Sequence, residues 1–258
     1  MKVTILGCGG SSGVPLIGCD CPVCKSEDPK NKRLRASILV KEKNTAVLVD
    51  SSPDLRQQAL TNNITKVDAV LFTHAHADHT SGIDDLRAFS YLNNKPIPVY
   101  SDRKTLEELK TRFEYAFIPE VPKTWYRPCL IPHEIEAGKK FTIGDMTIEP
   151  FIQGHGKITT LGFRFGDFAY STDTDYLSPE ALENLRGVKA WVVDCLRYEK
   201  APTHSHLEQT LQWIAAVGPK TGILTHMGHE MEYQALKQRL PNGVEPAYDG
   251  MVITSGVS

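Results

Sequence analysis

The segment Thr-His-Ala-His-Ala-Asp-His at 73–79 constrains the possible folds of this chain more than any other segment does. It places four potential metal ligands within six residues. It directly follows a short apolar stretch that is typical of a buried strand. In an extended chain His74 and His76 point to the same side, and a turn into helix would bring Asp78 and His79 back to the same pocket. Imidazoles and carboxylates bind zinc, manganese or iron, so the segment predicts a site that can serve two metal ions.

The bulk composition is that of an ordinary globular enzyme. Of the 258 residues, 41% are hydrophobic and 23% are charged, and a chain of this size needs no disulfides to fold. The net charge of -2 argues against a dominant electrostatic interaction with nucleic acid. The amino terminus has too short an apolar run for a signal peptide, and no stretch approaches the roughly 20 apolar residues of a membrane span. We therefore expect a single domain over 1–258 that is soluble, cytoplasmic and without a membrane partner.

Apolar patterning predicts two β-rich halves, in each of which helices follow the first strands. Strands are predicted at 2–6, 36–41, 45–50, 69–72, 97–100, 140–143, 146–153, 160–165, 168–171, 190–194, 222–225 and 252–254. Helices are predicted at 54–62, 83–91, 104–113, 179–184, 207–217 and 230–239. This α/β order suits two mixed sheets packed face to face with helices outside, or a doubly wound sheet, and does not by itself separate them.

The spacing His-x-His-x-Asp-His after a buried strand resembles the signature of the metallo-β-lactamase superfamily. Three later positions fit the same resemblance, each at or just after the end of a predicted strand: His155, Asp173 and His226. The resemblance covers most of the chain and implies a four-layer αββα sandwich. The metals would lie at one edge, between the two sheets.

The resemblance also implies how the ligands are shared between two divalent ions, which would be zinc or manganese, or else iron. One ion would be held by His74, His76 and His155. The other would be held by Asp78, His79 and His226. Asp173 would bridge the two ions. Asp50 would act behind them by orienting a ligand or the loop, the alternative being a cap for the turn at Pro53.

Cysteine spacing predicts a second metal site. Cys19, Cys21 and Cys24 fall within six residues, and in a long chain without an export signal such crowding favours metal ligands over disulfides. Three thiolates need a fourth ligand to close a tetrahedral zinc site, and His229 is our prediction for it. The alternative is an exposed loop of reduced thiols, with His229 capping the following helix. The remaining cysteines are expected to be inert packing residues: Cys8, Cys129 and Cys195.

A Cys-x-Cys-x-x-Cys loop joined to an intact two-metal motif resembles the phosphoribosyl 1,2-cyclic phosphate phosphodiesterases of the carbon–phosphorus lyase pathway. A branch linked to pyrroloquinoline quinone carries a similar loop, but its His-x-His segment is typically degraded. The resemblance implies hydrolysis of a small cyclic phosphodiester by a metal-bridging hydroxide. It also suggests a homodimer, although the oligomeric state stays open. Related phosphodiesterases carry a catalytic histidine before a helix, which matches His204 better than His206. We predict His204 and Asp78 as catalytic residues.

Two other functions use the same metals. A ribonuclease Z-like nuclease would need a basic surface or a flexible arm for tRNA, and the chain has no lysine- and glycine-rich insertion. A lactone or thioester hydrolase would act through the same two-metal site. A non-enzymatic zinc-binding module is a further alternative, but it would have no use for a bridging aspartate.

Overall fold

The computed structural model describes residues 1–254. The strands are β1 (Lys2–Gly7), β2 (Ser37–Glu42), β3 (Thr45–Val49), β4 (Ala69–Leu71), β5 (Ile97–Ser101), β6 (Leu130–Glu134), β7 (Phe141–Ile143), β8 (Met146–His155), β9 (Ile158–Phe165), β10 (Phe168–Ser171), β11 (Ala190–Asp194), β12 (Thr221–Thr225), β13 (Val244–Pro246) and β14 (Val252–Thr254). The helices are α1 (Pro22–Lys25), α2 (Leu55–Thr61), α3 (Ala77–Thr80), α4 (Arg87–Asn93), α5 (Arg103–Arg112), α6 (Pro179–Leu185), α7 (Leu207–Val217) and α8 (Tyr233–Arg239). Within 1–254, every helix is too short or too polar to cross a bilayer.

The strands form two seven-stranded sheets, ordered β14-β1-β2-β3-β4-β5-β6 and β13-β12-β11-β10-β9-β8-β7. One apolar core lies between the sheets and joins Val47 of the first to Phe163 and Trp191 of the second. A second core packs the other face of the first sheet, through Leu48, against α2, α4 and α5. Strands β3 and β11 are buried along their whole length because both of their faces are covered. The predicted four-layer αββα sandwich is confirmed.

Two strands that the apolar pattern did not predict lie at sheet edges. Pro132 interrupts β6 and Pro246 ends β13, and each strand is the outermost of its sheet. Proline cannot donate to a strand ladder, so it is tolerated at an edge but weakens the sequence signal. The last predicted helix begins at Tyr233, three residues later than expected, because the Glu232 carboxylate caps it by accepting a hydrogen bond from the Ala235 amide.

Parallel strands bring the candidate site residues together at one edge of the sandwich. β3, β4 and β5 run parallel in the first sheet, and β10, β11 and β12 run parallel in the second. Their carboxyl ends meet at the same edge, where ligands of open sheets usually bind. Three residues that directly follow such strands, or come two positions after one, adopt a left-handed backbone: Asp50 (φ 62°), Asp173 (φ 53°) and His226 (φ 58°). For residues other than glycine this conformation is uncommon and concentrates at functional sites.

A partly buried aspartate joins the start of the chain to its end. The Asp249 carboxylate accepts hydrogen bonds from the amides of Cys8 (3.1 Å) and Leu34 (2.7 Å). Burial raises the pKa of Asp249 to about 7, against the lowering effect of these hydrogen bonds. Between about pH 4 and pH 7 the folded state therefore binds more protons at this group than the unfolded state, and its contribution to stability falls as the pH rises.

The Asp249→Asn variant tests this pH dependence. We expect the free energy of unfolding of the wild-type protein, minus that of the variant, to decrease steadily from about pH 4 to about pH 7. Urea denaturation at several pH values measures both free energies, and metal-dependent effects cancel in the difference. A difference that stays flat across this range would show that Asp249 keeps an ordinary pKa.

Candidate metal centre

The first ligand group consists of three histidines and one aspartate: His74, His76, His155 and Asp173. Their candidate ligand atoms all lie within 4.8 Å of one another. The ring centroids of His74 and His76 are 4.4 Å apart, and those of His76 and His155 are 5.2 Å apart. His74 and His76 come from the segment after β4, whereas His155 ends β8, so both sheets contribute to the group. His76 is the exposed member, and it borders the opening to solvent.

The second group consists of Asp78, His79, Asp173 and His226, again with ligand atoms within 4.8 Å of one another. Asp78 and His79 lie on α3, the single helical turn that follows the first two histidines. The Asp78 carboxylate is 3.2 Å from His79 Nε2 and 3.8 Å from His226 Nε2. The turn from extended chain into helix thus brings both residues back to the pocket, as the sequence predicts.

Asp173 belongs to both groups. Its Oδ1 lies 3.9 Å from His74 Nε2 and 3.8 Å from His155 Nε2. Its Oδ2 lies 3.0 Å from His79 Nε2 and 3.3 Å from His226 Nε2. One carboxylate oxygen therefore faces each group, which is the arrangement that a bridging ligand requires.

Hydrogen bonds at the far side of the rings orient two of these histidines. His79 Nδ1 donates to Asp50 Oδ2 at 2.7 Å, and the same carboxylate accepts from the amide of Thr73 at 2.9 Å. His155 Nδ1 donates to the carbonyl oxygen of Thr203. A proton fixed on Nδ1 leaves the Nε2 lone pair free to bind a cation. Asp50 thus orients the His79 ring and also holds the loop through Thr73.

The two groups differ in their electrostatics. Burial lowers the pKa of His74 and His155, which keeps these imidazoles neutral and their lone pairs available. Burial also opposes protonation of His79 and His226, but the carboxylate of Asp173 outweighs it, raising the pKa of His79 well above its usual range and that of His226 to about 9. Burial would raise the pKa of Asp173, yet the facing His226 and His79 hold it well below its usual range. The carboxylates of the second group therefore favour a positive charge among its side chains, which protonated imidazoles or a cation can supply.

The donor set fits a pair of divalent cations. The Nε2 atoms of His74, His79 and His226 are buried without a hydrogen bond of good geometry among residues 1–254. A buried polar atom without a hydrogen-bond partner destabilises the folded state. Where several such atoms converge on carboxylates, a bound cation would stabilise the fold. Nitrogen and oxygen donors of this kind suit zinc, manganese or iron.

A separate cluster lies where the amino-terminal loop meets the turn after β12. The Sγ atoms of Cys19, Cys21 and Cys24 and a ring nitrogen of His229 lie within 4.8 Å of one another. His229 Nδ1 is 3.5 Å from Cys19 Sγ and 3.4 Å from Cys21 Sγ. The amide of Cys24 donates to Cys21 Sγ, which together with His229 lowers the pKa of Cys21 to about 6. The four side chains could hold one tetrahedral ion, three residues along the chain from His226.

His204 lies at the centre, whereas His206 lies beside it. The His204 ring is mostly buried, and its centroid is 4.7 Å from that of His155 and 4.7 Å from that of His226. His206 immediately precedes α7 and lines a neighbouring polar cavity of about 390 Å³ with Asp175. The sequence did not single out Asp194, whose carboxylate groups with His204 and His226. The available signal was a carboxylate ending an apolar strand, the same signal that identified Asp50.

Comparisons with known proteins agree with this geometry. Residues 45–227 match the family model described as "Beta-lactamase superfamily domain". A solved structure described as a new diphosphatase from the PhnP family is 35% identical, with a TM-score of 0.91 over 98% of this chain and 96% of that one. Zinc-bound PqqB from Methylobacterium extorquens is 18% identical, with a TM-score of 0.80 over 99% of this chain and 100% of that one, and it shares the fold.

A relative from Porphyromonas gingivalis, named octanoyltransferase, is 36% identical over 255 residues, which are 97% of this chain and 51% of that protein. The chain thus spans about half the length of this relative. The metallo-β-lactamase fold implies divalent metals at the edge where the two ligand groups lie. By its family match, its fold and its similarity to the diphosphatase, the chain belongs to the metallo-β-lactamase superfamily of hydrolases and, within it, to the PhnP-like branch.

Proposed function

We propose that this hydrolase is a phosphodiesterase that acts on small, cyclic or terminal phosphodiesters. The observation that carries the proposal is the placement of Asp173, with one oxygen toward each ligand group, beside the His204 ring. Two cations held so close together, with a proton donor at their side, suit in-line displacement at phosphorus. The formal charge of -2 is in keeping with a small substrate and not with a nucleic acid.

We assign two catalytic divalent ions, zinc or manganese or else iron, to the two groups and one structural zinc ion to the cysteine cluster. His74, His76 and His155 would hold one ion, Asp78, His79 and His226 would hold the other, and Asp173 would be shared by both. When bound, the catalytic ions lower the pKa of a water molecule and neutralise negative charge on the phosphate group.

Two side chains of the protein transfer the protons of the proposed reaction. Asp78 is the more open carboxylate of the centre, with 12% of its side chain exposed, and it accepts the proton that the attacking water releases. His204 donates a proton to the oxygen of the leaving alcohol as the phosphorus–oxygen bond breaks. The phosphodiester thereby becomes a phosphomonoester and an alcohol, with one water molecule consumed. In a cyclic substrate both products stay in one molecule.

A substrate panel tests the proposal. The metal-loaded protein is assayed with bis(p-nitrophenyl) phosphate, with five-membered cyclic phosphodiesters of ribose, with a diphosphate ester, with a lactone, with an acyl thioester and with a tRNA precursor. We expect the highest kcat/KM for a cyclic phosphodiester. Preferential cleavage of the tRNA precursor, or of the lactone, would overturn the proposal.

Two alternatives have specific support. The solved relative described as a diphosphatase favours cleavage of a phosphoanhydride, which would use the same paired cations. The relative named octanoyltransferase, about half of which matches this chain, favours an acyl substrate, which is the class of the lactone or thioester alternative. The substrate panel distinguishes both alternative reactions from phosphodiester hydrolysis, because it contains a substrate for each of them.

The His204→Gln variant is expected to discriminate between leaving groups. An alkoxide needs a proton to leave, so loss of the acid should cost about 10²–10⁴-fold in kcat for a ribose cyclic phosphodiester. p-Nitrophenolate is stable without a proton, so the loss with bis(p-nitrophenyl) phosphate should stay below about tenfold. Steady-state kinetics with both substrates measure the two ratios. His206→Gln is the matched control and should change neither; equal losses of the His204 variant on both substrates would exclude the acid role.

A further inference from the structure

Asp194 is a fully buried carboxylate that neither ligand group includes. It ends β11, the central parallel strand between β10 and β12 of the second sheet, and its relative exposure is 0%. Its backbone carbonyl accepts a hydrogen bond from the Thr210 hydroxyl at 2.8 Å, and its Oδ2 accepts one from the Ser205 amide at 3.0 Å. These bonds fix the carboxylate in one orientation at the base of the metal centre.

Each oxygen of this carboxylate faces a different histidine. Asp194 Oδ1 lies 3.5 Å from His226 Nδ1, and Oδ2 lies 3.4 Å from His204 Nδ1. The two rings stack with an interplanar angle of 15° and a centroid distance of 4.7 Å. Asp194 Oδ1, His204 Nδ1 and His226 Nδ1 are all buried, and within 1–254 none of them makes a hydrogen bond of good geometry, either with one another or with a different group. Both ring nitrogens therefore face the same buried carboxylate.

The first sheet contains the same arrangement. Asp50 directly follows β3, is fully buried, and accepts the hydrogen bond of His79 Nδ1 at 2.7 Å. His79 and His226 are the two histidines of the second ligand group. Each half of the sandwich therefore places one buried carboxylate behind one imidazole of that group.

We propose that Asp194 is a positioning residue that orients both the metal ligand His226 and the proton donor His204, the latter part resting on the proposed function. A proton fixed on Nδ1 of each ring leaves Nε2 as the working atom: a lone pair toward the cation in His226, and a transferable proton toward the leaving oxygen in His204. One carboxylate thereby couples metal binding to the delivery of the proton.

The Asp194→Asn variant keeps the shape of the side chain and tests the His226 part. An NH₂ group at the Oδ2 position would point a donor at the Ser205 N–H, so the amide oxygen takes the Oδ2 position and the NH₂ group faces His226 Nδ1. The imidazole proton is then forced onto Nε2, where it blocks metal binding. We expect the affinity of the metal-free protein for Zn²⁺, measured by competition with a chelator, to fall about 10–100-fold. Asp145→Asn, at the turn between β7 and β8, is the matched control and should leave it unchanged.

A double-mutant cycle tests the His204 part. In the wild-type background, at saturating metal, Asp194→Ser, which removes the oxygen that faces His204, should lower kcat for a ribose cyclic phosphodiester more than for bis(p-nitrophenyl) phosphate. In the His204→Gln background the same substitution should cost less than half as much on a logarithmic scale, because the group that it orients is already gone. Full additivity would overturn this part, and an unchanged Zn²⁺ affinity would overturn the first.

Failure of either part of the Asp194 proposal can be distinguished from failure of the proposed function. If the wild-type protein cleaves neither phosphodiester, the function is wrong, yet the chelator competition still decides whether Asp194 orients His226. Far-ultraviolet circular dichroism and thermal unfolding of the metal-free variant confirm that it is folded. A misfolded Asp194→Asn is replaced by Asp194→Ser, for which the same loss of Zn²⁺ affinity is expected and an unchanged affinity would overturn the proposal.

Discussion

The Asp173→Asn variant is expected to lose at least about 10³-fold in kcat/KM toward phosphodiesters, because in the proposed mechanism several kcal/mol of transition-state stabilisation depend on the paired cations that this carboxylate would join. Asparagine keeps the shape of the side chain and tolerates the left-handed backbone (φ 53°) at this position. It removes the negative charge that faces both ligand groups. We expect at least one catalytic ion per chain to be lost on dialysis, as measured by mass-spectrometric metal analysis alongside steady-state kinetics.

Asp145→Asn is again the matched control, because Asp145 lies at the turn between β7 and β8, where it pairs with Lys43. It should retain both the ions and the activity. If Asp173→Asn kept two catalytic ions and nearly full turnover, Asp173 would not bridge the groups, and the two-metal assignment would be wrong.

The Cys21→Ala variant is expected to lose one zinc ion per chain and to unfold at a temperature lower by about 5–10 °C. An ion in the cysteine cluster would link the amino-terminal loop to a histidine about 210 residues later, so it would act as a cross-link over nearly the whole chain. By analogy with a covalent cross-link, its removal should cost about 2–4 kcal/mol. In a protein of this size each kcal/mol corresponds to roughly 2–4 °C in Tm. Differential scanning calorimetry and zinc analysis of the same sample provide both numbers.

Cys129→Ala separates this effect from the loss of a cysteine as such. Cys129 is buried and lies outside the ligand clusters within 1–254, so its variant should keep the full zinc content even if packing costs some stability. Unchanged zinc content in Cys21→Ala would favour the alternative interpretation of the loop as reduced thiols.

The sequence identified most of the residues that converge at the candidate metal centre, because much of the information is local there. Four ligands of 73–79 follow one strand, and the later histidines and aspartate also come at or just after predicted strand ends. Asp194 was not found, since its partners His204 and His226 are 10 and 32 residues away and come together only when β11 and β12 pair. The edge strands β6 and β13 were not predicted either, because their prolines weaken the strand signal and each strand forms by pairing with one neighbour. Long-range pairing, which no local pattern encodes, decides both cases.

The left-handed backbone at three positions around the centre limits how its metal preference can be redesigned. At Asp50, Asp173 and His226 only glycine, asparagine, aspartate and histidine are readily accommodated, so glutamate or cysteine would meet a conformational penalty before any ligand chemistry began. His76 has an ordinary extended backbone (φ -62°, ψ 150°) and an exposed ring. A library that aims to exchange zinc for a softer or harder ion should therefore begin at His76 and leave the three strand-end positions fixed.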